Sequence, residues 1–231
     1  MRTAFALGLV LLTGCVQAED AGRRAWLQSL LVQDNRPLLE REPALTAGKF
    51  RKMGARPYDF LRGSLAVYLA DAARPDAMPT RFGSAAASRV LVLGDPHPEN
   101  LGAFRRGDGR MSLEFNDFDG ATFGPYHLDV RRLAVGFVVA GLQAGLDDDA
   151  ARALAGAVAE GYVLEIDRLG RGLAPLRVRR GVGFGHIVDD LLRRAERDGD
   201  AREHLDDYTR VKGGQRRLRR GEVEAPPMPG V

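Results

Sequence analysis

Gly94-Asp95-Pro96-His97-Pro98-Glu99-Asn100 and Asn116-Asp117-Phe118-Asp119-Gly120 are the two stretches on which the reading of this chain turns. Between them, Leu101 to Phe115 supplies two strand-like runs around Asp108-Gly109, the dipeptide favoured by two-residue type I′ turns. Such a turn pairs Gly107 with Arg110 and, counting down the ladder, Asn100 with Asp117. In that register Asn100, Gly102 and Phe104 share a face with Leu113, Phe115 and Asp117. Arg105, Ser112, Glu114 and Asn116 take the other face, and a slip of one residue would move Phe115 to that polar side. An amide and a carboxylate then meet at the open end of an apolar face, with Cα atoms about 4.5–5.5 Å apart. Two oxygen donors at the end of a buried hairpin suit a hard divalent cation such as Mg2+. Asp95 lies just before, on the loop leaving Val90-Leu91-Val92-Leu93, an apolar run read as a buried strand. A structural reading stands beside this one: Asp95 caps a turn, Asn100 ends a strand and Asp117 makes an Asx-turn.

Outward from this centre the pattern is mostly helical. Apolar periodicity marks two long helices over 128–142 and 146–168, with Asp147 as N-cap of the second and Gly145 between them, an αα-hairpin. Residues 187–197 form a third amphipathic helix. On the N-terminal side, Glu19 to Val32 reads as a helical lead-in that Asn35-Arg36-Pro37 breaks. A short helix follows over 64–73, and 74–84 is a loop. Gly181-Val182-Gly183-Phe184-Gly185 is glycine-rich, but a helix follows it and no lysine-bearing strand, so it reads as a loop rather than a phosphate cradle. From Thr209 to Gly221 there are six basic residues and no acidic one, the pattern of a solvated terminus; no specific nucleic-acid contact is expected.

Composition sets the outer limits. With 231 residues, 45% hydrophobic and 28% charged, the chain is neither a disordered tail nor a polytopic membrane protein. A single cysteine, Cys15, excludes an internal disulfide framework and a Cys-rich zinc site. Net charge is +3, and of the 34 basic residues only Lys49, Lys52 and Lys212 are lysines.

The cysteine sits where an address would end. Met1-Arg2 supplies a charge and Thr3 to Leu12 an apolar run of about ten residues, too short for a bilayer, which needs roughly 20. Leu12-Thr13-Gly14-Cys15 resembles the lipobox of bacterial lipoproteins, in which the cysteine carries the lipid. Val16 stands where an inner-membrane retention signal would have Asp, which favours a lipid anchor on the periplasmic side of the outer membrane. Cleavage after Val16-Gln17-Ala18 would instead give a soluble periplasmic protein. The expected organisation is a signal peptide over 1–14, the lead-in over 15–48, a core domain over 49–208 and a basic, proline-containing tail over 209–231.

Asp-x-x-x-x-Asn, a hairpin and then an Asp-Phe pair resemble the catalytic core of the protein-kinase-like fold, in particular its aminoglycoside and choline phosphotransferase branch. That resemblance implies a catalytic-lobe core, α+β and mostly α, with the hairpin packed on the two long helices. It also implies that Asp95 is the base for an acceptor hydroxyl and that Asn100 and Asp117 hold Mg2+ on the phosphates of ATP or another nucleotide. Asp119 is a further metal ligand or a loop cap, His97 braces the loop, and Asp129 matches the aspartate that braces it from the following helix. Lys52, or Arg62 as its substitute, is the candidate phosphate partner.

Three blocks together are similar to an uncharacterised bacterial domain family: Lys52 to Gly63, Gly94 to Asn100 and Asn116 to Leu133. Members of that family usually continue into a nucleotide-binding segment beyond the point where this chain stops, so the core is expected to be truncated at its C-terminus. Three functions follow as expectations. The first is a metal- and nucleotide-dependent phosphotransferase acting on a small-molecule or protein hydroxyl. The second is an envelope lipoprotein that keeps the fold and binds without catalysing, favoured by the scarcity of ATP outside the cytoplasmic membrane. The third is a metal-dependent phosphoesterase, suggested by Asp95-Pro96-His97 but lacking that fold's other metal-binding blocks.

Overall fold

The computed structural model describes residues 3–77, 79–198, 205–206 and 208–219, with the backbone alone for 3–20 and 198. It is α+β and mostly helical. The helices are α1 (Thr3–Arg41), α2 (Pro43–Ala55), α3 (Pro57–Gly63), α4 (Leu65–Ala72), α5 (Tyr126–Gln143), α6 (Asp148–Gly170) and α7 (His186–Asp198). The strands are β1 (Val90–Val92), β2 (Leu101–Arg105), β3 (Met111–Phe115), β4 (Thr122–Gly124), β5 (Thr209–Lys212) and β6 (Gln215–Leu218). They pair only as antiparallel couples, β1 with β4, β2 with β3 and β5 with β6. The chain divides into two compact units. One holds the residues up to Asn100 together with Asn116–Pro175, the other Leu101–Phe115 and the described residues from Leu176 onward.

In the first unit α1 runs past the expected break, with Pro37 inside the helix. Proline's fixed φ suits a helix and its cost is one lost hydrogen bond. Buried Asn35 supplies compensation: its amide donates to the Leu31 carbonyl at 2.8 Å, and its oxygen accepts from Lys49 Nζ of α2 at 2.6 Å. Helices α2 and α3 each begin with proline at the first position, where the missing N–H costs nothing. Met53 of α2, Tyr58 and Leu61 of α3 and Val67 of α4 are the buried apolar side chains of this segment. Asp147 caps α6 by accepting from the Ala150 amide at 2.8 Å, as its place before an acidic first turn requires. Helices α5 and α6 pack together, with Tyr126 and Tyr162 stacked at 5.6 Å. The run Val90–Val92 is a strand, but only Val92 is buried; Leu91 is 71% exposed because its sheet has just two strands and one covered face.

In the second unit the hairpin β2–β3 departs from the expected register by one residue. Leu101 pairs with Phe115, Ala103 with Leu113 and Arg105 with Met111. The connection is a three-residue loop: the Gly109 amide donates to the Arg106 carbonyl, the Arg106 amide to the Arg110 carbonyl, and Gly109 sits at φ 79°. This is a type I turn closed by a left-handed residue, which here wins over the two-residue turn. The pattern explains the choice. The register brings Leu101 and Ala103, with Arg105 at the turn end, onto the face of Met111, Leu113 and Phe115, where the other register would set Asn100, Gly102 and Phe104. Helix α7 packs on this hairpin, where the sequence reading had placed the two long helices, and Leu192 of α7 is wholly buried. The basic tail segment folds into the exposed hairpin β5–β6, and its proline-containing end lies outside the described residues.

Candidate functional site

The site is built on the end of β1. Asp129, in the first turn of α5, accepts the Leu93 amide on Oδ2 at 2.6 Å and the Gly94 amide on Oδ1 at 3.2 Å. Burial raises the pKa of this carboxyl and the two amides oppose the rise. Gly94, at φ 90°, turns the chain into the loop. A Cβ there would stand 2.2 Å from the Gly120 carbonyl oxygen, so the β1–β4 pairing presses the 94–100 loop against the end of Asn116–Gly120. Both conditions demand glycine at 94.

Within the loop a 3₁₀ turn over Pro98–Asn100 carries Asn100 back towards Asp95. The buried Asn100 amide donates from Nδ2 to the Asp95 carbonyl at 3.0 Å, which leaves Oδ1 as its only atom free to face a cation. The Asp95 carboxylate is held from α5. Arg132, 3% exposed, donates from Nε to Asp95 Oδ1 at 2.8 Å and from Nη2 to the Leu61 carbonyl at 2.5 Å. Its guanidinium also lies 5.3 Å from the centre of the Tyr68 ring. Asp95 Oδ2 has no protein partner among the described residues, and the side chain is 24% exposed.

His97 is buried beside Asp95, its ring edge-on to Tyr58 at 6.4 Å and its Nδ1 without a partner. Burial pushes its pKa below the ordinary histidine value. The loop is held by Tyr58, whose hydroxyl accepts the Glu99 amide at 3.3 Å, and by Arg62, whose Nη1 meets Glu99 Oε2 at 2.6 Å. Arg62 and Lys52 line one cavity of about 190 Å³ with Lys49, Met53 and Asp59. Arg62 Nε is buried there without a partner. This volume is below the roughly 300–1,000 Å³ of small-molecule pockets and suits a phosphate-sized group rather than a whole nucleotide.

The second block does not stand where the sequence reading set it. The Asn116 amide donates to the Asn100 carbonyl at 2.8 Å, so Asn116, not Asp117, is opposite Asn100. Asp117 is one residue beyond, exposed, at φ 62°, a left-handed conformation that aspartate tolerates better than most residues. Asp119 is exposed as well. Among the described residues no three His, Cys, Asp or Glu side chains form a group able to hold a metal. The donors on offer are Asn100 Oδ1 and the Asp117 and Asp119 carboxylates. As oxygen donors they are of the chemical kind that Mg2+ accepts, a cation that takes one or two carboxylates and fills its remaining positions with water and phosphate oxygens.

Two residues that hold the site escaped the sequence reading. Arg132 was given no role, although it lies three residues after Asp129 on one helix and therefore on the same face. For Tyr58, no local signal marks its hydroxyl as a partner for a loop 41 residues away.

A mostly helical α+β chain with an aspartate–asparagine loop fixed by a buried arginine thus describes this protein. The family model for "uncharacterized protein conserved in bacteria (DUF2252)" matches residues 41–228, and the chain belongs to that family. No curated protein and no solved structure matches it.

Proposed function

We propose that the protein is a kinase-like phosphotransferase homologue that uses a divalent cation and a nucleotide to phosphorylate a hydroxyl acceptor. The observation that carries this reading is the double fixing of Asp95: Asn100 holds its backbone, Arg132 holds one carboxylate oxygen, and the other oxygen has no partner among the described residues. A carboxylate so held is positioned to accept the proton of an acceptor hydroxyl as its oxygen bonds to phosphorus and the nucleoside diphosphate leaves. Asn100, Asp117 and Asp119 are the residues that would hold Mg2+, which when bound neutralises phosphate charge. Lys52 and Arg62 offer a phosphate-sized basic cavity.

A thermal-shift series with Mg2+ or Mn2+, with and without ATP, tests the reading. A hundredfold excess of nucleotide over its dissociation constant stabilises by roughly 2–3 kcal/mol. The stabilisation disappears in Asp117→Ala and survives in Asp95→Asn, which loses phosphate transfer alone. No shift with any cation–nucleotide pair refutes it.

A second reading, a non-catalytic binding protein that keeps the fold, draws on the Asp95–Arg132 ion pair, which already occupies one oxygen of the carboxylate. In that case Asp95→Asn changes neither binding nor any measurable transfer. Attachment of lipid at Cys15 and a place in the cell envelope form part of the proposal. The Cys15 side chain lies outside the described residues, and among those described no helix is long and apolar enough to cross a membrane. Metabolic labelling with a radioactive fatty acid, lost in Cys15→Ser, decides the anchor.

A further inference from the structure

The second unit contains a basic cavity that owes nothing to Asp95. Leu113 and Val178 form an antiparallel bridge, with the Leu113 amide donating to the Val178 carbonyl at 3.0 Å. Near this bridge, Arg110, Arg179 and Arg180 come to the wall of one cavity. Together with Met111, Val182 and Leu192 they line a cavity of about 420 Å³. Glu196 is the one acid in its wall, and Arg180 already engages it at 3.0 Å. The guanidinium groups of Arg110 and Arg179 have no partner among the described residues, and Arg179 Nε is buried from water with none. A buried N–H without an acceptor is costly and calls for one.

We propose that this cavity binds a phosphomonoester, its phosphate held by Arg110 and Arg179 and its organic group lying against Met111, Val182 and Leu192. Two guanidinium forks match the geometry and the charge of about −1.5 to −2 of such a phosphate at neutral pH. The glycine-rich segment 181–185 takes a different part from the one that its composition suggests. Its first amide, at Gly181, is spent on Asp189 Oδ1 at 2.8 Å. The segment therefore shapes the wall, and the arginines supply the charge.

Calorimetric titration of the full chain with phenyl phosphate, in EDTA so that no divalent cation contributes, tests the site. Saturable binding is expected, and Arg110→Met and Arg179→Met each weaken it by roughly tenfold to a hundredfold, the worth of a charged hydrogen bond. Arg110 is exposed, so its replacement leaves the fold intact should Arg179→Met disturb it. Inorganic phosphate binds more weakly than phenyl phosphate. Arg217→Met on exposed β6 and Lys52→Met both retain the wild-type affinity; the first controls for net charge and the second separates this cavity from the one that Lys52 and Arg62 line. Absent or unsaturable binding, equal affinity for inorganic phosphate, or equal loss in Arg217→Met or Lys52→Met overturns the proposal.

Discussion

Arg132 carries more of the site than any residue in the loop it serves. Its Nε and Nη2 serve Asp95 and the Leu61 carbonyl; the Asp95 carboxylate has no other donor among the described residues, while the Leu61 carbonyl also accepts from the Ser64 amide at 3.3 Å and the Ser64 hydroxyl at 3.4 Å. Removing one partner of a buried pair costs about 3–5 kcal/mol, and partial hydration of Asp95 places Arg132→Met at the lower end, about 3 kcal/mol. Asp95→Asn keeps an acceptor oxygen for Nε and loses about 1 kcal/mol in the same urea-unfolding measurement. Equal losses would mean that the pair acts only through packing. Gly94→Ala is the harsher change, because its Cβ meets the Gly120 carbonyl and its φ of 90° is unfavourable for alanine. Strain and overpacking together cost about 3 kcal/mol or more, read as a fall in melting temperature. At this scale the sequence was legible where a side chain serves its neighbours. Asp147 capping α6 is a local event, whereas the Arg132–Leu61 bond spans 71 positions and leaves no local trace.

Elements were legible where periodicity alone fixes them, and less so where a turn decides. The helices α5, α6 and α7 follow from apolar spacing, and their ends fall within a few residues of expectation. The break expected at Pro37 failed because tertiary contacts from Asn35 and Lys49 outweigh one missing hydrogen bond. The β2–β3 hairpin slipped because Asp-Gly serves a three-residue loop as well as a two-residue one, and the apolar face then selects between them. The register has a direct test. Ala103 and Leu113 are Cα partners, and the hydrogen bond from Arg106 to Arg110 makes theirs a non-hydrogen-bonded pair, with Cα atoms about 4.5 Å apart. Cysteines at 103 and 113 therefore close a disulfide under mild oxidation in a Cys15→Ser background, as a mobility shift on a non-reducing gel. Cysteines at 104 and 113, on opposite faces, stay free. The reverse result would restore Asp117 to the position facing Asn100.

For the whole molecule, the helix-rich α+β class is readable from the chain, while its division into two units is not. The second unit joins Leu101–Phe115 to residues beyond Leu176 through the Leu113–Val178 bridge and the Arg177–Glu114 ion pair, contacts that no pattern within either segment announces. One property sums over many groups of the first unit, the response to pH. Asp59 and Asp71 are held below the usual carboxylate value by hydrogen-bonded arginines, Arg56 and Arg23. Their contribution is full above the unfolded value of 3.8 and is lost as pH falls through the folded one. Asp129, raised by burial, has the opposite sign: acidification through its folded value favours the native state. The histidines act earlier. Burial lowers His97 and His127 below 6.5, so as pH drops past that value the unfolded chain takes up protons that the folded chain refuses. Melting temperature at low salt is therefore level above pH 7 and declines from about 6.5 towards 5, ahead of the carboxylate loss below 4. His97→Gln removes one of the two titrations and flattens the decline without abolishing it, because His127 remains. A variant with the full wild-type slope would show that His97 accepts its proton while folded, which its buried, partnerless Nδ1 could do only if the loop around Asp95 opens to water at that pH.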